Sequence, residues 1–167
     1  MLLPPHDPNL VVIGLGGNLE GSKARILRAR DSLAQQPELE AVAFSSLYRS
    51  RPMGPSDQPD YVNAVMTLRS KLSPLALLDC LQAIEQAEGR VRSGERWGAR
   101  TLDLDLLLFG LQQINHPRLT VPHPGIVDRE FVLYPLLEIL PTCQVPGFGT
   151  IRELVRHCPR NGLEVLN

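Results

Sequence analysis

Arg100-Thr101-Leu102-Asp103-Leu104-Asp105-Leu106-Leu107-Leu108 sets carboxylates and leucines in strict alternation, and its reading decides the fold. Successive side chains of a strand point to opposite faces, so Asp103 and Asp105 share one side. Leu102, Leu104, Leu106 and Leu108 take the other side, against helices. A strand with one apolar and one polar face belongs to an antiparallel sheet covered by helices on one side.

The chain upstream fits the same plan. In Tyr61–Leu68, Val62, Ala64, Met66 and Leu68 share one face, and Tyr61, Asn63, Val65 and Thr67 the other. Ser73-Pro74 supplies an N-cap and a first-turn proline for a helix that buries Leu77, Leu78, Leu81 and Ile84 and ends at Gly89. Leu10–Leu15 is an apolar run that reads as a strand passing into a turn at Gly14-Leu15-Gly16-Gly17-Asn18. Ser22 is a candidate cap for a helix presenting Ile26, Leu27, Leu33 and Ala34, and Val42–Tyr48 reads as the second strand. The order is strand, helix, strand, strand, helix, strand. It predicts an α+β fold, the ferredoxin-like split β-α-β-β-α-β arrangement, with both helices on one face of an antiparallel sheet. C-terminal additions follow: a turn-rich segment, a helical piece near Asp128–Leu140 that Pro135 splits or kinks, and a helix near Ile151–His157.

The 167 residues read as a single domain spanning 1–167. With 43% hydrophobic and 21% charged residues the composition is globular, and a net charge of -1 argues against nucleic acid or an anionic membrane as partner. Cys80, Cys143 and Cys158 form no Cys-x-x-Cys pair, so free thiols in a reducing compartment are expected. The first residues lack the features of a signal peptide, and no apolar run reaches membrane-spanning length. A cytoplasmic monomer is the expectation.

Two adjacent carboxylates repel each other and lose hydration unless cations sit between them. Mg²⁺ suits the pair because it takes hard oxygen donors and keeps water and phosphate oxygens as further ligands. By alternation Tyr61 and Asn63 share the face of Asp103 and Asp105, which reads as a site rather than a second core. Just before this strand, Arg90, Arg92, Arg96 and Arg100 surround Trp97, Gly94 and Gly98 in one loop. Guanidinium groups match phosphate oxygens, and glycines let such a loop close. Gln82 and Glu85 lie three apart on the polar side of their helix, where a solvated face is the default. His123 sits between prolines in Val121-Pro122-His123-Pro124. The glycine-rich stretch lacks the third glycine of a dinucleotide fingerprint, and no Walker-type Gly-Lys-Ser/Thr is present. A bound nucleotide is therefore held by acids, metal and arginines.

These residues resemble the 6-hydroxymethyl-7,8-dihydropterin pyrophosphokinase family. The likeness runs through Arg96-Trp97-Gly98-Ala99-Arg100-Thr101-Leu102-Asp103-Leu104-Asp105, Gly16-Gly17-Asn18, Gly54-Pro55 to Asn63, and Arg118-Leu119-Thr120-Val121-Pro122-His123-Pro124. The resemblance implies transfer of diphosphate from ATP to 6-hydroxymethyl-7,8-dihydropterin, with AMP released, in folate biosynthesis. It implies that Asp103 and Asp105 hold two Mg²⁺ ions. It implies that Gln82, Glu85, Arg92, Arg100, Leu106 (through its backbone), Arg118, Thr120 and His123 hold ATP. Ser50, Arg51, Met53, Tyr61, Asn63, Trp97, Arg129 and Phe131 match the pterin pocket, and Arg90 and Arg92 match mobile arginines that close on the phosphates. Gly17, Ser50, Arg51 and Ala99 depart from the residues common in the family.

Two other readings remain open on the residues alone. A nucleotidyl transferase or cyclase also uses paired aspartates, but releases pyrophosphate rather than AMP. An RNA-binding module of this topology displays aromatics on its central strands, where this chain carries Asp103 and Asp105.

Overall fold

The structure, a computed structural model, describes residues 7–50, 60–88 and 102–166. The elements in chain order are β1 (Leu10–Asn18), α1 (Leu19–Ala34), β2 (Leu39–Phe44), β3 (Tyr48–Ser50), β4 (Tyr61–Ser70), α2 (Pro74–Ala87), β5 (Asp103–Phe109), β6 (Ile114–His116), β7 (Leu119–Val121), α3 (Glu130–Ile139), β8 (Gln144–Val145), β9 (Gly149–Thr150), α4 (Ile151–Arg156) and β10 (Glu164–Val165). The main sheet runs β10-β3-β4-β1-β5, with β2 also on β4, and every pairing is antiparallel. With β2 and β3 counted as one interrupted strand, this is the predicted split β-α-β-β-α-β sheet.

Apolar periodicity puts one core between the sheet and its two long helices. Val62, Ala64, Met66 and Leu68 of β4 meet Ile26, Ala29 and Leu33 of α1 and Leu77, Leu81 and Ile84 of α2 there. Ser73 caps α2 as expected, its Oγ accepting from the Ala76 amide at 3.3 Å, with Pro74 in the first turn. For α1 the expectation needs correcting. The strand passes straight into the helix, so Asn18 is the residue before its first turn and Ser22 lies inside it, fully buried. Leu27 is only half-buried and Ala34 is exposed, because Ala29 rather than Ala34 completes the core-facing stripe.

The far face of the sheet is divided. Val12, Val65, Leu107 and Leu108 form a second core with Ile126 and with Val132, Leu133 and Leu136 of α3. A second core therefore covers half of the face read as a site, and only the half carrying Tyr61, Asn63, Asp103 and Asp105 escapes it. Leu108 also corrects the strict alternation. The pairs Val12↔Leu108 and Ile13↔Leu106 leave Leu107 as an extra residue, and this β-bulge turns both Leu107 and Leu108 toward α3. Helix α3 continues through Pro135, which is buried within it rather than splitting it. The short α4 is closed by a capping box in which the Thr150 Oγ1 accepts from the Glu153 amide at 3.2 Å.

Candidate active site

The glycine-rich stretch is strand to its end rather than a turn, and this gives the site its floor. Directly opposed residues in an antiparallel sheet point their side chains the same way. Gly16 lies opposite Asp103 on one side and Asn63 on the other, and Asn63 lies opposite Tyr48. Asp103, Gly16, Asn63 and Tyr48 thus form one row across four strands. In the next row on this face Gly14 lies between Asp105 and Val65. The row beyond pairs Tyr61 with Asn18 and Ser50. A Cβ at residue 16 would fall 2.3 Å from the Asn63 Oδ1, so the amide of Asn63 lies across bare backbone beside the acid pair. Periodicity alone did not single out Gly14 or Gly16; only the pairing register shows what they make room for.

Asp103 and Asp105 are half-buried at the start of β5. The outer edge of that strand is held from two directions. Glu85, expected on a solvated helix face, is instead buried, and its Oε2 accepts from the Leu104 amide at 2.7 Å. The position of α2 over β5 aims this side chain inward, whereas helix periodicity shows only that it shares a side with Gln82. The His123 amide donates to the Leu107 carbonyl at 3.0 Å. The Leu106 backbone lies between these two anchors.

His123 follows a cis Val121-Pro122 bond, and its Nδ1 accepts from the Gly125 amide at 3.0 Å. Burial pushes the His123 imidazole below its ordinary pKa; Asp105 pulls it back up, and Arg129 adds a smaller downward push. These causes bring His123, Asp105 and Arg129 into one electrostatic neighbourhood. A Cβ at Gly125 would fall 2.4 Å from the Arg129 Nε, so this glycine makes room for the guanidinium, whose carbon lies 5.9 Å from the centre of the Phe131 ring. On the α2 side, Arg118 Nη2 donates to Asp79 Oδ1 and, at 3.4 Å, to Gln82 Oε1. Thr120 is exposed on β7.

The sequence candidates thus gather into three neighbouring groups. Gln82, Glu85, Leu106, Arg118, Thr120 and His123 follow α2, the β5 edge and β7. Ser50, Tyr61 and Asn63 lie on β3 and β4, and Arg129 and Phe131 stand at the start of α3. Asp103 and Asp105 lie on β5 with Gly16 between Asp103 and Asn63. Arg51, Met53, Arg90, Arg92, Trp97 and Arg100 lie outside the described residues. Arg49 Nε and Asp60 Oδ2, 2.7 Å apart, tie together the two ends of the segment holding Arg51 and Met53.

The acid pair fits a hard divalent cation by its chemistry: two carboxylates two residues apart on one strand face, oxygen donors of the kind such a cation takes together with water or phosphate oxygens. Among the described residues no group of three or more His, Cys, Asp or Glu forms a metal cage. Cys80, Cys143 and Cys158 are all free, and burial pushes the Cys143 thiol up to about 12. Among the described residues no helix is long and apolar enough to cross a membrane.

Residues 12–141 match the family described as 7,8-dihydro-6-hydroxymethylpterin-pyrophosphokinase. A 2-amino-4-hydroxy-6-hydroxymethyldihydropteridine pyrophosphokinase of Pseudomonas aeruginosa is 49% identical over 93% of this chain and 96% of its own length. The Haemophilus influenzae protein of the same description is 46% identical over the same shares. Among solved structures, the Plasmodium falciparum HPPK-DHPS crystal structure with SDX-DHP superposes with a TM-score of 0.66 at 15% identity, which speaks for the fold. The match covers 89% of this chain and 43% of that longer one.

Proposed function

Because the chain belongs to the 7,8-dihydro-6-hydroxymethylpterin-pyrophosphokinase family, we propose that the half-open sheet face is where it joins its two substrates. The protein is a pyrophosphokinase of folate biosynthesis: it transfers diphosphate from ATP to 6-hydroxymethyl-7,8-dihydropterin and releases AMP. The observation that carries the placement is the row Asp103, Gly16, Asn63, Tyr48, which sets an acid pair beside an amide over a floor without side chains.

The pterin lies on this floor. Asn63 reads its hydrogen-bonding edge, Ser50 and Tyr61 line one end, and Arg129 and Phe131 approach from α3. ATP lies along the β5 edge, with Gln82, Glu85, Arg118, Thr120, His123 and the Leu106 backbone about it. Glu85 serves a second purpose there, since its bond to the Leu104 amide fixes the strand on which the acids stand. Asp103 and Asp105 would hold the Mg²⁺ that accompanies ATP. When bound, Mg²⁺ supplies positive charge against the transferring phosphates and acidifies the attacking hydroxyl.

In the reaction the pterin hydroxymethyl oxygen forms a bond to the β-phosphorus of ATP. The bond from that phosphorus to the α-bridging oxygen breaks, and AMP leaves with the electron pair. Asp105, on the same strand face as Asp103, is a candidate acceptor for the hydroxyl proton. On the family likeness alone, Arg90 and Arg92 are assigned to closing on the phosphates, Arg92 and Arg100 to holding ATP, and Arg51, Met53 and Trp97 to the pterin pocket.

A nucleotide assay tests this reading. With MgATP and 6-hydroxymethyl-7,8-dihydropterin together the product is AMP, and neither substrate alone yields it. ADP, pyrophosphate release or no product would overturn it.

A further inference from the structure

The edge of the site lies on a strand that should point the wrong way. Phe44 of β2 pairs with Met66 and packs in the helix-covered core, while Tyr48 of β3 pairs with Asn63 on the site face. Residues 44 and 48 are four apart, and in an unbroken strand they would share a face. Between the two pairs, Ser45, Ser46 and Leu47 stand against only Ala64 and Val65. This one extra residue reverses the facing of everything after it. It turns Tyr48 and Ser50 away from the helices and onto the substrate face.

Extra residues leave backbone groups without ladder partners, and here hydrogen bonds hold them. Ser45 exchanges bonds with Val65: its amide donates to the Val65 carbonyl at 2.9 Å, and its Oγ accepts from the Val65 amide at 2.9 Å. The Ser45 Oγ donates to the Ser46 carbonyl and the Leu47 carbonyl accepts from the Leu166 amide, both at 2.8 Å, while four further bonds converge on one carboxylate. Glu138, near the end of α3, accepts from the Ser46 amide at 3.0 Å (Oε2) and 3.2 Å (Oε1). It also accepts from the Ser46 Oγ at 3.0 Å and from the Tyr48 hydroxyl at 2.6 Å. Burial, with Glu138 beside it, pushes the Tyr48 hydroxyl above its ordinary pKa, so it remains a donor at neutral pH. The other end of α3 carries Arg129 and Phe131. One helix therefore touches the substrate face at its start and the turned strand near its end.

We propose that Glu138 is a positioning residue for the pterin: by holding Ser46 and Tyr48 it keeps the reversed facing that presents Ser50 beside Tyr61 and Asn63. Among the described residues Glu138 bonds to Ser46 and Tyr48 and not to the acid pair or the β5 edge, so its influence falls on the pterin and not on the nucleotide. The proposal rests on the reading of Ser50, Tyr61 and Asn63 as the pterin-facing set.

The test compares Glu138→Gln, Tyr48→Phe and the double variant with the unaltered enzyme, and includes Asn63→Ala. Each is measured for pterin KM at saturating MgATP, for ATP KM at saturating pterin, and for thermal midpoint. The amide in Glu138→Gln keeps one acceptor oxygen and loses the other, and Tyr48→Phe removes a single hydroxyl, so the fold has two mild routes to survive. The expected result is a pterin KM raised by about tenfold in each single variant, with ATP KM unchanged. The double variant should raise pterin KM by less than the product of the two single effects, because both substitutions act on the one network around residue 138. Equal rises in both KM values, or a lowered thermal midpoint with both KM values intact, would make Glu138 merely structural and overturn the proposal. If Asn63→Ala leaves pterin KM unchanged, the reading of the pterin face falls, and this inference with it.

Discussion

The two central strands and the strands beside them are built differently. Strands β1 and β4 pair without a slip from Leu10↔Arg69 to Asn18↔Tyr61. Both flanks slip: β5 at Leu107, β2 at Val42, and the β2–β3 line again at Ser45–Leu47. The regular centre holds the first core and the floor of the site. The slips decide what reaches that floor from each side. They are also held by different forces. The Leu107 slip sits among the side chains of a second core, whereas the Ser45–Leu47 slip is held by hydrogen bonds to Val65 and Glu138. Apolar packing tolerates some rearrangement, whereas hydrogen bonds fix a direction, so on the proposed reading the polar flank is the one that shapes recognition.

Substitutions along the two flanks and the centre separate these roles. Asp105→Ala, on the strand before its slip, should lower turnover by roughly a thousandfold, since metal charge stabilisation contributes several kcal/mol and each 1.36 kcal/mol is tenfold. Its thermal midpoint should stay near that of the parent; near-normal turnover by AMP release would remove Asp105 from the chemistry. Leu107→Ala empties the slip itself and should cost about 3 kcal/mol in urea unfolding. A loss under about 1 kcal/mol would mean that the second core does not hold the slip.

Gly16→Ala tests the centre. The clash would fall on the end of a flexible side chain, so Asn63 should swing aside with little loss of stability. Pterin affinity should then drop by about tenfold, the worth of a displaced hydrogen-bonding group, readable by calorimetric titration. Affinity at parental level would mean that Asn63 does not depend on the bare floor. Val42→Ala should change unfolding free energy by no more than about 0.5 kcal/mol, because this slip turns an exposed side chain to solvent. A larger effect would show that all three slips are structural and would blunt the distinction among them.

Alternation was readable where pairing is regular. Val62 to Leu68 fall as their periodicity predicts, and Asp103 and Asp105 share a face because they precede the slip. Alternation misplaces Leu108 and makes Tyr48 only the end of a continuous strand, because a bulge depends on which partner residue stands opposite, and that partner lies far away in sequence. Gly14 and Gly16 suggest a turn for a related reason: a turn and a flat floor need the same residue, and only the neighbours Asp103 and Asn63 tell them apart. Glu85 was legible as a polar helix residue but not as a buried one, because its partner is a backbone amide of another element. Glu138 carried no local signal at all, since a glutamate late in a helix is ordinary until Ser46 and Tyr48 are placed against it.

The anchors on β5 have a consequence for how the protein behaves at high concentration. Among the described residues that strand ends the sheet, and the amides and carbonyls of an outermost strand are a template on which another chain can add itself. Here the Glu85 carboxylate occupies the Leu104 amide and the His123 amide occupies the Leu107 carbonyl. The side chain and loop assigned to the nucleotide also shield this rim from self-association. The Leu104 amide and the Leu107 carbonyl are thereby closed to a neighbouring chain, and loss of the Glu85 carboxylate would leave the first of them as a sticky border.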